Sequence, residues 1–327
     1  MNQETTAVTM LLLTYNSDWN RVRLTLQGIL KQEYQDYEIV IADDGSKDNL
    51  HEQLISYFKE HNFERYTLVG NKENHGTVKN ILSGLAQAKG KYVKPVGAGD
   101  LFYNSHSLGN MVAFMEKTGA EGAVGLLRAF VEEDGHYRGV YYESPFDIEA
   151  YRKNDREKIK RNLLVYSDNV SGAGMFCKTE YYKEYLEKIQ NYVIYEEDIF
   201  QVMAALDDRG FVLFDDYFVW YESNIGVSTA KDSPFGKKLA ADVDRFYRFI
   251  IKEYADNKWV QKRKKIMKYY KVDNLYLRTI LKTFEDPAQI GYLLSHYQQR
   301  AKHATEKKNP EKGFLQEKSF LREYRKS

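Results

Sequence analysis

Cysteine is nearly missing from this chain: Cys177 is the one thiol in 327 residues, which excludes an intramolecular disulfide. Long hydrophobic runs are missing as well. The longest aliphatic stretches, such as Met10 to Leu13, fall far short of the ~18–20 apolar residues that a bilayer-spanning helix requires. The start carries no basic segment followed by an apolar block, so a secretory signal is not expected and a reducing, cytoplasmic location is. The seven histidines fall at no metal-ligand spacing and no zinc-protease motif occurs, which argues against zinc chemistry. No glycine–lysine pair is followed by Ser or Thr, so a P-loop is absent. Internal repeats and low-complexity segments are absent too.

What is present is a chain with enough apolar residues, 43%, to bury a core and build one large domain plus an appendage. The net charge of +1 hides an asymmetry. Residues 256–327 hold 18 Lys and Arg against 8 Asp and Glu, whereas the first 255 residues hold 30 against 39. An acidic body and a basic tail share one chain.

From residue 8 to about 130, short β-rich runs alternate with amphipathic stretches, the pattern of a mainly parallel sheet with crossover helices. Strands are predicted over 8–13, 38–42, 66–69, 91–96 and 123–130, and helices near 19–32, 48–61, 76–89 and 105–117. The stretch 131–178 reads as loop-rich and ends in Ser171-Gly172-Ala173-Gly174, where close backbone approach accounts for the glycines. Helices are predicted over 179–190 and 197–209, a strand or hairpin over 211–221, and helices from about 235 onward.

Sheets of this kind bind ligands just beyond the strand C-termini. After the first strand stand Thr14, Tyr15 and Asn16, and after the second Asp43-Asp44-Gly45-Ser46. A carboxylate there accepts hydrogen bonds from a base or ribose, and a tyrosine stacks on a base. A plain turn, with Ser46 or Asp48 capping the next helix, explains the serine but not the paired aspartates. Asn74-His75-Gly76 then opens a helix carrying Lys79, an arrangement suited to a diphosphate, although a solvated lysine is the ordinary reading. The fourth predicted strand ends in Gly97-Ala98-Gly99-Asp100. Its Gly-x-Gly is not a dinucleotide-binding turn, because Phe102 stands where the third glycine belongs and the strand is not the first. Downstream lies Glu196-Glu197-Asp198, three carboxylates that are either the ordinary acidic start of a helix or, clustered, a base with a shifted pKa.

The order Thr14-Tyr15-Asn16, Gln32-Glu33-Tyr34, Asp43-Asp44-Gly45-Ser46, Asn74-His75-Gly76 and Ala88-Lys89-Gly90-Lys91-Tyr92-Val93 resembles the family-two glycosyltransferases of the GT-A fold, over about residues 7–222. The resemblance implies a GT-A-like α/β catalytic domain, 1–225, with a basic helical extension, 226–327. It implies inverting transfer of a sugar from a nucleoside diphosphate sugar, expected to be a UDP-sugar, to a glycan or lipid-linked glycan in cell-surface polysaccharide synthesis. Thr14, Tyr15, Asn16, Asp43 and Asp44 would hold base and ribose, with Lys79 and Asp100 at the diphosphate. Asp198 would be the base, with Glu197 second. The family's Asp-x-Asp motif is incomplete here, with Gly97 and Gly99 in its place, so a Mg²⁺ or Mn²⁺ ion would depend on Asp100. A silent nucleotide-binding protein of the same fold is the alternative. A nucleotidyltransferase would carry a glycine-rich basic loop after its first strand, which Thr14-Tyr15-Asn16-Ser17-Asp18 is not. The tail's Lys262-Arg263-Lys264-Lys265 and the apolar positions after it suit an anionic membrane surface, or packing on the domain or on a second subunit. No nucleic-acid module is present, and no nucleic-acid partner is expected.

Overall fold

The structure is a computed structural model describing residues 6–133, 136–140, 144–223, 234–303 and 312–321. Nine strands among these form one sheet, β1 (Val8–Thr14), β2 (Tyr37–Asp43), β3 (Tyr66–Gly70), β4 (Tyr92–Gly97), β5 (Leu101–Phe102), β6 (Gly122–Glu133), β7 (His136–Val140), β8 (Met175–Lys178) and β9 (Val212–Glu222). The order runs β3-β2-β1-β4-β8-β6-β9-β5, with β7 beside β6. The first four strands in that order are parallel, as the alternating pattern predicts. Beyond β4 the sheet is mixed: β8 runs antiparallel to both its neighbours, while β6 and β9 are parallel.

The crossovers α1 (Trp19–Leu30), α2 (His51–Glu60), α3 (Thr77–Leu85) and α4 (Ser107–Thr118) cover the two faces of the sheet. The sequence of β1 shows why two cores form. Val8, Met10 and Leu12 enter one apolar cluster with α1, α2 and α4, while Leu11 enters the other with α3. A strand buried on both faces reads as a continuous apolar run, and successive side chains point to opposite sides. The parallel register aligns the strand ends at one edge, pairing Thr14 with Asp43, Asp43 with Gly70 and Leu13 with Gly97.

The stretch expected to be loop-rich contains β7, α5 (Ile148–Arg152), α6 (Arg156–Arg161), a π-helical turn at Asn162–Tyr166 and β8. These elements are each too short to show a hydrophobic period, and α6 is almost wholly charged. Tertiary hydrogen bonds hold them instead: Asp168 accepts from the Phe146 and Asp147 amides at 2.7 and 3.1 Å, and Asn162 donates to Asp147 at 3.0 Å. The chain continues through α7 (Thr179–Ile189), a 3₁₀ turn at Glu197–Ile199, α8 (Phe200–Leu206), α9 (Pro234–Glu253), α10 (Lys258–Met267), α11 (Leu275–Glu285) and α12 (Gln289–His303). The boundary expected at 225 lies outside the described residues. The helices beyond it share the cores of the strands and helices before it: Phe246, Tyr247, Ile250 and Val260 join the cluster of Leu11, and Phe314, Leu315 and Phe320 join that of Leu12.

Candidate active site

Two loops at the strand ends are stitched together. Asp43 accepts from the Thr14 hydroxyl at 2.9 Å, the Ser46 hydroxyl at 2.6 Å and the Ser46 amide at 2.8 Å. Asn16, in the left-handed region at φ 48°, donates its amide to Ser46 Oγ at 2.7 Å and accepts from the Lys47 amide at 3.1 Å. Thr14 and Asp43 are thereby buried, and Tyr15 is left half-exposed at the rim, free to stack on a flat ring.

Asp44 turns the other way. Its Oδ1 accepts from Asn71 Nδ2 and the His75 amide at 3.1 and 2.9 Å, and its Oδ2 from the Gly76 amide at 2.8 Å. Asp44 therefore shapes the entry to α3. Gly76, at φ 89°, lies so close to Ile194 that a Cβ would meet the Ile194 carbonyl oxygen at 2.7 Å. Lys79 stands apart from both networks, exposed on the first turn of α3.

The turn after β4 is pinned from α1. Thr25 donates its hydroxyl to the Asp100 carbonyl at 2.7 Å and accepts from the Gly99 amide at 3.0 Å. Asp100 Oδ1 accepts from the Glu222 amide at 3.3 Å, and the Glu222 carboxylate pairs with Arg21 at 2.6 Å. A Cβ on Gly99 would lie 2.1 Å from Glu222 Oε2 and 2.8 Å from Arg21. Burial raises Asp100 to about 7, against the lowering influence of Lys94.

These residues do not fit the two-carboxylate chelate that an Asp-x-Asp motif supplies. One position's space is filled by the Arg21–Glu222 pair, which leaves Asp100 as the remaining carboxylate, raised by burial and lowered by Lys94. Among the described residues no group of three His, Cys, Asp or Glu side chains is placed to hold an ion. A Mg²⁺ or Mn²⁺ ion here would have Asp100 as its one carboxylate and would take its remaining ligands from phosphate and water.

Asp198 is held by one bond. Its Oδ2 accepts from the Gly172 amide at 2.7 Å, and a Cβ on Gly172 would lie 2.3 Å from Asp198 Oδ1, so only glycine allows this approach. Burial raises Asp198 to about 6, opposed by the Gly172 amide and Lys94. Burial, then the neighbouring Asp198, hold Glu197 well above the usual carboxylate range and bring Glu196 to about 7. The turn is fixed from below by Asp242 on α9, fully buried, whose Oδ2 accepts from the amides of Ile194, Tyr195 and Glu196 at 2.9, 2.6 and 3.2 Å.

Sequence reasoning missed Lys94. It lies in β4, 2% exposed, and its ammonium donates to the Pro95 and Ala173 carbonyls at 2.6 and 2.8 Å. Burial lowers it to about 8, while Asp100, Cys177 and Asp198 pull it upward. It is a fixed cation within electrostatic reach of both site carboxylates. The signal was a lysine among apolar residues in Tyr92–Gly97, since lysine is almost never fully buried without a partner. Arg21, Glu222 and Asp242 carried no comparable signal, because ordinary amphipathic surfaces hold the same residues.

Comparison with known proteins identifies the family. The family model described as glycosyl transferase family 2 matches residues 9–196, more than half the chain. Among curated relatives, glycosyltransferase GlyG of Streptococcus pneumoniae serotype 4 is 30% identical over 112 residues, 34% of this chain and 36% of that protein. Poly-beta-1,6-N-acetyl-D-glucosamine synthase of Staphylococcus epidermidis is 34% identical over 92 residues, 28% of this chain and 21% of that protein. The matches thus span about a third and a fifth of these relatives' lengths. Among solved structures, S. aureus TarS 1–349 in complex with UDP-GlcNAc is 17% identical with a TM-score of 0.47, over 79% of this chain and 78% of that one. With the family model covering the strand-end loops and reaching Glu196, the chain belongs to glycosyl transferase family 2.

Proposed function

We propose that this enzyme transfers a sugar from a UDP-sugar to a hydroxyl of a glycan or lipid-linked glycan, with inversion, in the assembly of a surface polysaccharide. The observation that carries the reading is the Asp198 carboxylate: lightly tethered, partly exposed, and raised by burial to about 6, where it is ionised at neutrality yet basic enough to take a proton. The acceptor oxygen attacks the anomeric carbon from the face opposite the diphosphate. As that C–O bond forms, Asp198 receives the hydroxyl proton, and the bond from the anomeric carbon to the diphosphate oxygen breaks, its electron pair leaving with UDP. Thr14, Asn16 and Asp43 shape the nucleotide end and Tyr15 supplies a stacking face, while Lys79 and the amide end of α3 lie on the diphosphate side. The synthase relative's name supports N-acetylglucosamine as the first donor sugar to try.

Asp198→Asn tests the base. It is expected to lower turnover about a thousandfold while UDP binding, measured by calorimetry against GDP and dTDP, is unchanged. Retained turnover would remove Asp198 from the mechanism; tighter binding of GDP or dTDP would overturn the donor base.

A further inference from the structure

The last two described helices are amphipathic in the wrong sense for a soluble chain. The inward side of α11 is polar: Lys282 donates to the Tyr270 hydroxyl at 3.4 Å, and Glu285 holds Lys268 and Tyr269 at 2.9 and 3.1 Å. The junction to α12 is tied down through Asp286, which accepts from Tyr166 at 2.7 Å and pairs with Arg161 at 3.1 Å, and through Tyr292 stacked on Tyr166 at 4.2 Å. The outward side is apolar. Tyr276, Ile280 and Phe284 recur at helical spacing with Leu277 beside them, and Ile290 and Leu294 continue on α12; Tyr276 and Phe284 are 82% and 81% exposed. Elsewhere among the described residues, exposed side chains of this size occur singly.

We infer that this face lies on a bilayer surface containing anionic lipid. Charge selects that occupant. The segment from 256 onward carries 18 basic against 8 acidic residues, and Lys264, Lys265 and Lys271 are exposed just before α11. Clusters of cations beside an apolar helical face bind acidic headgroups and sink the apolar side into the acyl boundary. A second copy docked by its own equivalent face would bring two basic surfaces together. The inference does not rest on the donor reading, and its test uses no nucleotide.

Sedimentation of the full chain with phosphatidylcholine vesicles, alone or mixed equally with phosphatidylglycerol, reads it out. Binding to the mixed vesicles only, weakened by high salt, is expected. The double variant Tyr276→Asp, Phe284→Asp alters two side chains that contact little, so its melting temperature should match the parent's while vesicle binding falls at least tenfold. Indifference of the parent to anionic vesicles, or undiminished binding by the variant, overturns the inference. So does a parent dimer that the variant splits into monomers, which would assign the face to a second copy.

Discussion

Lys94 is the residue on which the electrostatics of the site turn. Its ammonium lowers both Asp100 and Asp198, and its bond to Ala173 braces the turn whose Gly172 amide holds Asp198. Lys94→Met keeps the length of the side chain and removes the charge. A base that must be ionised gives a rate rising with pH through its pKa, here about 6. Without the cation that pKa goes up, so the acid limb of kcat/KM is expected to shift to higher pH, with activity partly recovered in alkaline buffer. A uniform loss at every pH would mean that Lys94 acts only through the fold. The aspartates at 43, 44 and 198 stand out in the sequence because carboxylates beyond strand ends and before a helix are chemically conspicuous. That Thr14 donates to Asp43, and that Asp44 spends its oxygens on Asn71, His75 and Gly76, was not legible there, since these contacts join residues about 30 positions apart.

Among elements, the 3₁₀ turn carrying Glu197 and Asp198 depends on a helix from the far end of the chain. Asp242 on α9 collects three amides of the loop leading into that turn and pairs with Arg245. Asp242→Ala leaves three part-buried amides without their acceptor, at ~1–3 kcal/mol for each that water does not reach. A loss of about 3 kcal/mol in the denaturant midpoint analysis is expected, with turnover falling while UDP affinity holds. A variant that melts like the parent would show that the loop keeps its shape without α9. The first four strands and helices were legible to within a few residues, because β1 and β2 are mostly apolar and α1 to α3 carry an amphipathic period. Elements α5 and α6 were not, since Arg156 to Arg161 is mostly charged and is helical through its neighbours.

At the scale of the whole molecule, the chain is closed by its own end. Phe314 donates its amide to the Tyr103 carbonyl at 2.7 Å, its ring stacks on Phe320 at 4.6 Å, and Gly313 admits the Trp220 indole where a Cβ would lie 2.5 Å from Nε1. Trp220 is in β9, two residues before Glu222. Phe314→Ala is therefore expected to cost about 3–5 kcal/mol, read from chemical denaturation, and to loosen the strand end that meets Asp100. A cost under about 1 kcal/mol would make residues 312–321 a dispensable strap. The charge asymmetry of the sequence foretold two unlike parts; it did not foretell that both would share the same two cores.

The crowding at Gly99 bears on what a substitution at this turn can achieve. With Glu222 Oε2 2.1 Å from where a Cβ would stand, and φ at 104°, an aspartate at position 99 would be strained and would displace the Arg21–Glu222 pair. Arg21 and Glu222 would have to change with it, and each alone strands the other's charge in a part-buried site. Three positions far apart in the chain, 21, 99 and 222, are thus coupled, so a carboxylate at 99 calls for concerted substitutions rather than one.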